Sequence, residues 1–502
     1  MGTRVGGIIG TWVATAALLA GCAVGPDFAP PPAPNASGYS PTPLAKTTAS
    51  AAAAGGAAQT FVRSLDLPGQ WWTVFHSKDL NGLVEQALAA NADIEAAQAA
   101  LSVARQNVYA QQGALFPSAN ANFTANRQLF EIGQPSDVAA GPQIFNLFTA
   151  QTSVSYTPDV FGGTRRSIEA LQATADSQRF ALEATYLTLT SNLAGAAVQE
   201  ASLRGQIAAT QRMIKIERDV LSLMQRQFKL GDIAESDVVA QQVALAQLEQ
   251  TLPPLQKQLA QERDLIAALC GSLPSDKFPQ QFAFATMHLP RDLPVSLPSQ
   301  LVEQRPDVRA AEANLQAASA QIGVAIANRL PNITLSGEAG STGLALSQLF
   351  TPGFNFWSIT GGVTQPIFEG GTLLHRELAA KAAFRQAAAQ YRSTVINAFQ
   401  NVADTLHAIH SDALLLQKAV ASERAASKSL DITRKRLELG DINYLALLNA
   451  QQTYQQAMLS VVQAEAARYA DTVALFQALG GGWWNRADAK PEPPLSIVDI
   501  FR

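Results

Sequence analysis

Asp404, His407 and His410 are the side chains whose spacing comes nearest to a metal site, because residues three apart lie on one face of a helix. A solvated helix face gives the same pattern, and we predict no metal ion there. Gly162-Gly163-Thr164 and Gly370-Gly371-Thr372 precede predicted helices as phosphate-binding loops do, but neither has the Gly-Lys-Ser/Thr sequence of such loops. Because no convincing Ser/His/Asp or Cys/His constellation accompanies them, the sequence predicts no enzyme activity and no cofactor.

The N-terminus carries a cysteine whose position predicts a covalent modification. Arg4 is followed by an apolar run from Val5 to Ala20, the pattern of a secretory signal peptide. The sequence Leu19-Ala20-Gly21-Cys22 resembles the bacterial lipobox, in which the thiol is acylated and the cysteine becomes the first mature residue. We therefore predict a signal peptide at 1–21 and a lipid on Cys22, which anchors the chain because each buried methylene contributes about 0.8 kcal/mol. An ordinary signal peptide with an incidental cysteine is the alternative.

The residues after Cys22 indicate the destination and form of this anchor. Ala23, rather than Asp, follows the cysteine, which resembles the outer-membrane sorting signal of bacterial lipoproteins. Residues 23 to about 60 are rich in Pro, Ala, Ser and Thr and lack apolar periodicity, so we predict an extended tether at 22–75. Cys270 is the other cysteine, and we interpret it as a small buried apolar residue because an acylated Cys22 leaves it no disulfide partner.

Composition excludes some partners and limits how the chain can cross a membrane. The 502 residues carry a net charge of −4 and a pI near 5.8, which gives no sign of a nucleic-acid partner. Charged residues make up 15% and apolar residues 47% of the chain. Beyond residue 21, no stretch approaches the roughly 18–20 apolar residues of a membrane-spanning helix. Any membrane crossing must therefore be made by strands.

The chain contains two copies of one unit. Three landmarks recur in the same order about 208–214 residues later in the sequence. They are Asp93-Ile94 with Asp307-Val308, Pro158 with Pro366, and Leu230-Gly231-Asp232-Ile233 with Leu439-Gly440-Asp441-Ile442. Each copy is predicted to hold a helix, two strands and a long helical hairpin. The predicted repeats span 76–275 and 297–482, with a linker at 276–296 and a tail at 483–502.

The predicted helices are unusually long. Neither Gly nor Pro occurs from Thr372 to Leu439, 68 residues that could extend roughly 100 Å as a helix. Apolar residues recur every seven positions, which indicates coiled-coil packing. They include Ile207, Ile214, Leu221 and Phe228 in the first copy and Leu416, Leu430 and Leu437 in the second. Pro253-Pro254 predicts a bend or fraying in the first return helix, where the second copy has Val462-Gln463. Helices alone do not exclude an isolated coiled coil without a channel.

About four predicted strands per chain have weakly alternating patterns. Ile333 to Ser336 and Trp357 to Thr360 alternate apolar and polar residues, as transmembrane strands do and as soluble antiparallel strands also do. In a bilayer every strand edge must be paired, so four strands cannot span it alone. Three chains would supply twelve strands.

Taken together, these features resemble the outer-membrane factor (TolC-like) family, in its lipoprotein (NodT-type) branch. The features are the lipobox, Trp71-Trp72 to Asn81, the duplicated hairpins, the Gly-Gly-Thr strand exits, Gly440 to Leu445 and Leu479 to Trp483. The resemblance implies an α+β fold in a homotrimer, with a long coiled-coil α-barrel and a twelve-stranded transmembrane β-barrel. It further implies an outer-membrane efflux channel that carries drugs or small toxic molecules. A periplasmic adaptor and an RND-type inner-membrane pump would be its partners.

The two Leu-Gly-Asp-Ile turns are the predicted ends of the hairpins. Gly231 and Gly440 permit sharp turns, and Asp232 and Asp441 are suited to cap the helices that follow. The resemblance implies that these tips, with Leu230 and Leu439 before them, contact the adaptor.

The residues just beyond the second tip are the candidate gate. Leu445 and Asn449 are four apart and share a helix face. The resemblance assigns an apolar and an acidic residue at these positions to the resting constriction, together with Tyr444. Asn449 stands where an aspartate is common, so we expect weaker cation preference, and Asp237 beyond the first tip is a possible substitute for that charge.

Three rival interpretations remain open. A TolC-like channel for ABC-driven (type I) secretion of protein or polysaccharide would keep the fold and change the cargo. A periplasmic adaptor would have one hairpin flanked by lipoyl-like β segments, and the duplication argues against it. A passive porin would have many strands and few helices.

Overall fold

A computed structural model describes residues 23–36, 38–41, 45–63, 65–130, 143–276 and 279–489 of the chain. Cys22 and the signal peptide lie outside the described residues, as does the tail from residue 490. The described chain forms two repeats of helices, two strands and a long helical hairpin, in the order the sequence predicted.

The elements of the first repeat are α1 Lys78–Ala90, α2 Ala92–Gly113, β2 Ser118–Phe130, β3 Gln143–Tyr156, α3 Gly163–Leu230, α4 Glu235–Glu249 and α5 Leu252–Leu269. Those of the second are α6 Pro298–Gln304, α7 Pro306–Ala327, β5 Asn332–Gly343, β6 Asn355–Thr364, α8 Thr372–Glu438 and α9 Tyr444–Ala478. Two short strands, β1 Thr60–Arg63 and β4 Asp292–Val295, precede the two repeats.

The prediction of a single first helix in each repeat is wrong, because this segment forms two helices in both repeats. Asn91 ends α1 in an extended conformation, and its side chain accepts the backbone N–H groups of Asp93 and Ile94 to cap α2. Arg305 separates α6 from α7 because it precedes Pro306, and proline disfavours a helical conformation in the residue before it.

Four antiparallel strands form one sheet in the order β2-β3-β5-β6, so the predicted number of strands is confirmed. Consecutive residues of each strand lie on opposite faces of the sheet, and the register determines which residues of neighbouring strands share a face. One face carries Phe123, Val154, Leu335, Trp357 and Ile359. The other carries Asn122, Thr124, Gln151, Ser153, Thr334, Ser336, Glu338 and Ser358. The sheet therefore has one apolar and one polar face, and β2 and β6 are its edges within one chain.

The hairpins differ in the continuity of their return helices. The outgoing helices α3 and α8 run unbroken for 68 and 67 residues. In the second repeat α9 is also continuous, over 35 residues, whereas the first return helix is divided into α4 and α5. The division lies just before Pro253-Pro254, which confirms the predicted break: proline lacks the N–H that an interior helical position needs and is tolerated in a first turn.

The described part of the segment predicted to be an extended tether packs against the repeats instead. The strand β1 pairs in parallel with β4, and Trp71 and Trp72 are 1% and 4% exposed. Trp71 stacks on Phe476 near the end of α9, with ring centroids 5.4 Å apart. The composition of the segment did not predict this packing, because composition does not show that two aromatic side chains bury a large area here.

Among the described helices, none combines the length and apolar character needed to cross a membrane. The described residues also contain no group of three or more His, Cys, Asp or Glu side chains that could hold a metal ion.

Candidate gate and hairpin tips

Glycine makes both hairpin turns possible. Gly231 and Gly440 follow the outgoing helices with φ values of +85° and +77°, a region that other residues rarely adopt. The backbone N–H of Asp232 donates to the carbonyl of Gln227 (3.0 Å), and that of Asp441 donates to the carbonyl of Arg436 (2.9 Å). The two tips thus have the same helix-ending hydrogen bonds.

The two aspartates do not cap the helices that follow, contrary to the sequence-based expectation. The residue before α4 is Ala234, which has no side-chain cap, and the residue before α9 is Asn443, whose side chain accepts the N–H of Ala446 at 3.2 Å. Asp441 instead accepts a hydrogen bond from Nε of Arg436 at 2.7 Å. The capping position is two residues later than predicted in both hairpins, at Ala234 and Asn443, which are both extended.

Leucines are exposed at both tips. Leu230 is 78% and Leu439 is 83% exposed, and each lies directly before a turn glycine. Leu445, in the first turn of α9, is 61% exposed. An apolar side chain held in water at the end of a hairpin gains free energy when a partner covers it, at roughly 25 cal/mol for each Å² removed from water.

A buried polar bridge joins the two hairpins close to their tips. Gln241 on α4 is fully buried, and its amide nitrogen donates to the backbone carbonyl of Glu217 (3.1 Å) and to the Glu217 carboxyl group on α3. The hydroxyl group of Tyr444 on α9 donates to the amide oxygen of Gln241. We call Glu217, Gln241 and Tyr444 the inter-hairpin bridge.

Burial controls the protonation of this bridge. It raises the pKa of Glu217, an effect that the hydrogen bond from Gln241 and the charge of Arg434 partly offset. Burial also raises the pKa of Tyr444, and the negative charges of Glu217 and Asp237 act in the same direction. Tyr444 therefore keeps its proton at neutral pH and can donate it to Gln241.

The predicted gate residues fall into two groups. Tyr444 is half-buried within the bridge, and the half-buried Asp237 lies near enough to influence its pKa. Leu445 and Asn449 are exposed on α9 and belong to a different face. Sequence analysis missed Gln241 and Glu217. A polar residue within an apolar heptad pattern could have indicated both. Gln241 precedes Leu245 by four residues, and Glu217 follows Ile214 by three residues.

Comparison with known proteins identifies the family. The profile of the outer membrane efflux protein family matches residues 83–272 and 297–481, one match in each repeat. The chain belongs to this family. It is 29% identical over 447 residues to the pyoverdine export outer membrane protein OpmQ of Pseudomonas putida, covering 88% of this chain and 94% of that protein. It is 29% identical over 476 residues to the outer membrane protein OprJ of Pseudomonas aeruginosa, covering 93% and 94%.

Solved structures share the fold. The outer-membrane channel OprN superposes with a TM-score of 0.81 at 27% identity, covering 92% of this chain and all (100%) of that one. The CmeC channel of Campylobacter jejuni has the same fold, with a TM-score of 0.81 over 93% of this chain and 97% of that one at 20% identity. Family and fold make this outer membrane efflux protein a TolC-like channel protein of the outer membrane, with helices that extend into the periplasm. The family is one of channels.

Proposed function

We propose that three copies of this outer membrane efflux protein form a continuous conduit for drugs or other small toxic molecules across the periplasm and the outer membrane. A periplasmic adaptor and an RND-type inner-membrane pump would complete the system and supply the energy. The sheet is the observation that carries this proposal, because its two faces suit two different solvents.

The apolar face suits lipid and the polar face suits a water-filled pore. On the apolar face Trp357 is 75% and Ile359 is 81% exposed, fractions that are costly in water and favourable in acyl chains. On the polar face Ser358 donates to the Glu338 carboxyl group at 3.0 Å. Polar residues that alternate with lipid-facing residues along each strand are typical of membrane channels.

The free edges of the sheet argue for assembly. Within one chain the outer backbone groups of β2 and β6 have no neighbouring strand in the described sheet. In lipid each unpaired backbone group costs several kcal/mol, so the edge of one copy must pair with the opposite edge of the next. Three copies give twelve strands, in agreement with the sequence-based expectation.

We assign the resting closure of the conduit to the tips of the hairpins. The bridge through Gln241 holds α9 against the first hairpin, and this contact must break if the two hairpins separate. The exposed Leu445 and Asn449 would then form rings in the trimer, with Leu445 narrowing the pore. Leu230 and Leu439, with the turns Gly231-Asp232 and Gly440-Asp441, would contact the adaptor.

The lipid on Cys22 would fix the conduit to the membrane, so covalent lipid is the one non-protein group that we propose. The names of two OpmQ relatives support the choice of small-molecule cargo, because both describe pyoverdine export. SepC of Pseudomonas putida is described as the outer membrane protein of a probable efflux pump. SepC is 30% identical over 498 residues, which cover 94% of this chain and 96% of that protein.

A photo-crosslinking amino acid at Leu439 tests the assembly in cells. Leu439 is 83% exposed and ends α8 through its backbone N–H, which donates to the carbonyl of Lys435 (3.1 Å), so replacing its side chain leaves the turn intact. We expect capture of an adaptor that is encoded with a proton-driven pump. The matched control is Leu415, which is 53% exposed and lies within α8 away from the tip, so it should capture no adaptor. Capture of an ABC-linked adaptor would indicate secretion instead, and equal capture at both positions would contradict docking at the tips.

A further inference from the structure

Residues 47–60 form a closed loop that lies against the second hairpin, and we call this loop the N-terminal clasp. Its base is closed by the backbone N–H of Thr48, which donates to the carbonyl of Gln59 at 2.9 Å. Its tip is closed by the N–H of Ala51, which donates to the carbonyl of Gly56 at 2.7 Å. The clasp is therefore held in shape by its own hydrogen bonds and meets the hairpin as a compact unit.

The tip of the clasp lies in the groove between α8 and α9. The side-chain amide of Gln417 on α8 donates to the carbonyl of Ser50 at 3.2 Å. Gly55 lies so close to α9 that a Cβ on it would be 2.6 Å from the ring of Tyr469. Two alanines of the tip pack against apolar side chains of both helices, and together these residues are Ala51, Ala53, Leu416, Ala419, Val420 and Ala464. Small residues thus allow the clasp to contact both helices of the hairpin.

Two side chains of α9 bind the backbone and side chains of the clasp. Oε1 of Glu465 accepts the backbone N–H of Ala54 at 3.1 Å. Arg468 donates to the carbonyl of Ala57 (3.1 Å) and to the side-chain oxygen of Gln59 (2.9 Å). An arginine keeps its charge at ordinary pH, whereas a carboxyl group can gain or lose a proton. Glu465 is therefore the contact that can respond to pH.

The first hairpin lacks this carboxyl group. Gly231 and Gly440 at the two tips are 209 residues apart. The same offset places Gln256 at the position that corresponds to Glu465. Gln256 cannot ionise, and it is exposed to solvent. The titratable contact is therefore specific to the second hairpin.

Burial governs the protonation of Glu465. It raises the pKa of Glu465 to about 7, and the hydrogen bond from Ala54 partly offsets this rise. The clasp itself contributes no acidic or basic side chain. When the clasp moves away, Glu465 meets water and its pKa returns towards the ordinary value of 4.5. The clasped conformation therefore binds this proton more tightly than the released one.

The charged groups near Glu465 belong to the two helices. Burial raises the pKa of Asp471 on α9, and the hydrogen bond and the charge of Asp412 on α8 act in the same direction. Arg468 also interacts with the charge of Asp412. Burial raises the pKa of Tyr469 to about 12, so this side chain stays neutral. Asp471 thus responds to pH in the same direction as Glu465, and an experiment has to separate the two.

We propose that the N-terminal clasp is a proton-dependent contact, which holds the second hairpin while Glu465 is protonated and loosens when Glu465 ionises. An ionised carboxylate is stabilised by water, which it reaches once the clasp moves away. The stabilisation is fully present below pH 4.5 and is lost as the pH rises through about 7. Glu465 lies 21 residues after Tyr444, so the clasp contacts the helix of the candidate gate roughly 30 Å from its tip. The proposal concerns contacts within one chain and does not rest on the proposed conduit.

A nitroxide label at position 52 tests the proposal. Ala52 is exposed at the tip of the clasp, and Ala52→Cys is made in a Cys270→Ala background. The same background without the new cysteine measures label bound elsewhere. We expect the ratio of immobilised to mobile label, taken from the electron paramagnetic resonance spectrum, to fall by about tenfold for each pH unit between 4.5 and 7. A ratio that does not change with pH would overturn the proposal.

Two variants show which carboxyl group carries the response. Glu465→Gln keeps an oxygen that can accept the N–H of Ala54 but cannot ionise, so the label should remain immobilised at every pH. Asp471→Asn should leave the response in place. Survival of the response in Glu465→Gln, or its loss in Asp471→Asn, would overturn the assignment to Glu465.

A label on α8 separates loosening of the clasp from unfolding of the hairpin. Ser422 is exposed on α8, and a label at Ser422→Cys should keep the same mobility over this pH range. Mobility that rises together at positions 52 and 422 would mean that the hairpin itself unfolds, and the proposal would fail. The proposed conduit is judged separately, because none of these measurements needs an open channel.

Discussion

The two hairpins descend from one duplicated unit, yet they have diverged in opposite directions. The first has a divided return helix and supplies the buried acceptors Gln241 and Glu217. The second has a continuous return helix and supplies the donor Tyr444 together with the exposed Leu445 and Asn449. The comparison indicates that the first hairpin supplies the buried side of the inter-hairpin contact, whereas the second supplies a continuous helix that carries the residues proposed to face the pore.

Proline substitution should give the largest difference in stability between the two hairpins. Val462→Pro places a proline inside α9, where it removes a helical hydrogen bond and clashes with the preceding turn, at a cost of about 3 kcal/mol or more. Pro253→Val with Pro254→Gln makes the first hairpin match the second and should change stability far less. Thermal unfolding followed by circular dichroism compares the two. Equal losses would contradict the idea that helix continuity matters only in the second hairpin.

Acidity should strengthen the inter-hairpin bridge. Burial raises the pKa of Glu217 above its ordinary value of 4.5, so the bridged conformation binds this proton more tightly than an opened one. The resulting stabilisation is fully present below 4.5 and is lost as the pH rises through the raised pKa. We expect the frequency of open channels in a lipid bilayer to increase over that rise. Glu217→Gln should remove the pH dependence, and an unchanged profile in that variant would assign it to another group.

A change of charge at the second tip should have the smallest effect of these changes, and the property that it alters is ion selectivity. Asn449→Asp adds an exposed carboxylate to each copy, and three of them in a ring would attract cations. We expect a moderate increase in cation over anion permeability, measured as a reversal potential under a salt gradient. Asp237→Asn is the matched change at the first tip. A larger change in selectivity from Asp237→Asn would place the selective charge on the first hairpin.

Much of the fold could be predicted from periodicity. The heptad pattern correctly predicted that Ile214, Leu416 and Leu430 are buried, with exposed fractions of 5%, 0% and 2%. It failed at Phe228, which is 42% exposed, because the hairpin ends nearby and few helices remain to cover that position. The heptad pattern predicts burial well along the helices because it repeats over many turns. It fails at the hairpin end because the helices that would cover the apolar residues end there.

The inter-hairpin bridge could not be predicted in the same way. Tyr444 and Gln241 are 203 residues apart, and no local pattern indicates which helix of the first hairpin faces α9. The packing of the N-terminal segment was missed for a similar reason. Arg468, 1% exposed on α9, donates to the carbonyl of Ala57 (3.1 Å) and to the side chain of Gln59 (2.9 Å), contacts that composition does not reveal.

Single-channel conductance of Tyr444→Phe tests the central claim most directly, namely that the bridge between the hairpins holds the channel closed. The variant removes one hydroxyl group and leaves the buried amide oxygen of Gln241 without its donor, a loss of about 1–3 kcal/mol. We predict that the ratio of open to closed channels rises by about 5- to 150-fold. Tyr454→Phe, on the same helix but away from Gln241, should behave as the unmodified protein. An equal ratio of open to closed channels in both variants and the unmodified protein would contradict the account.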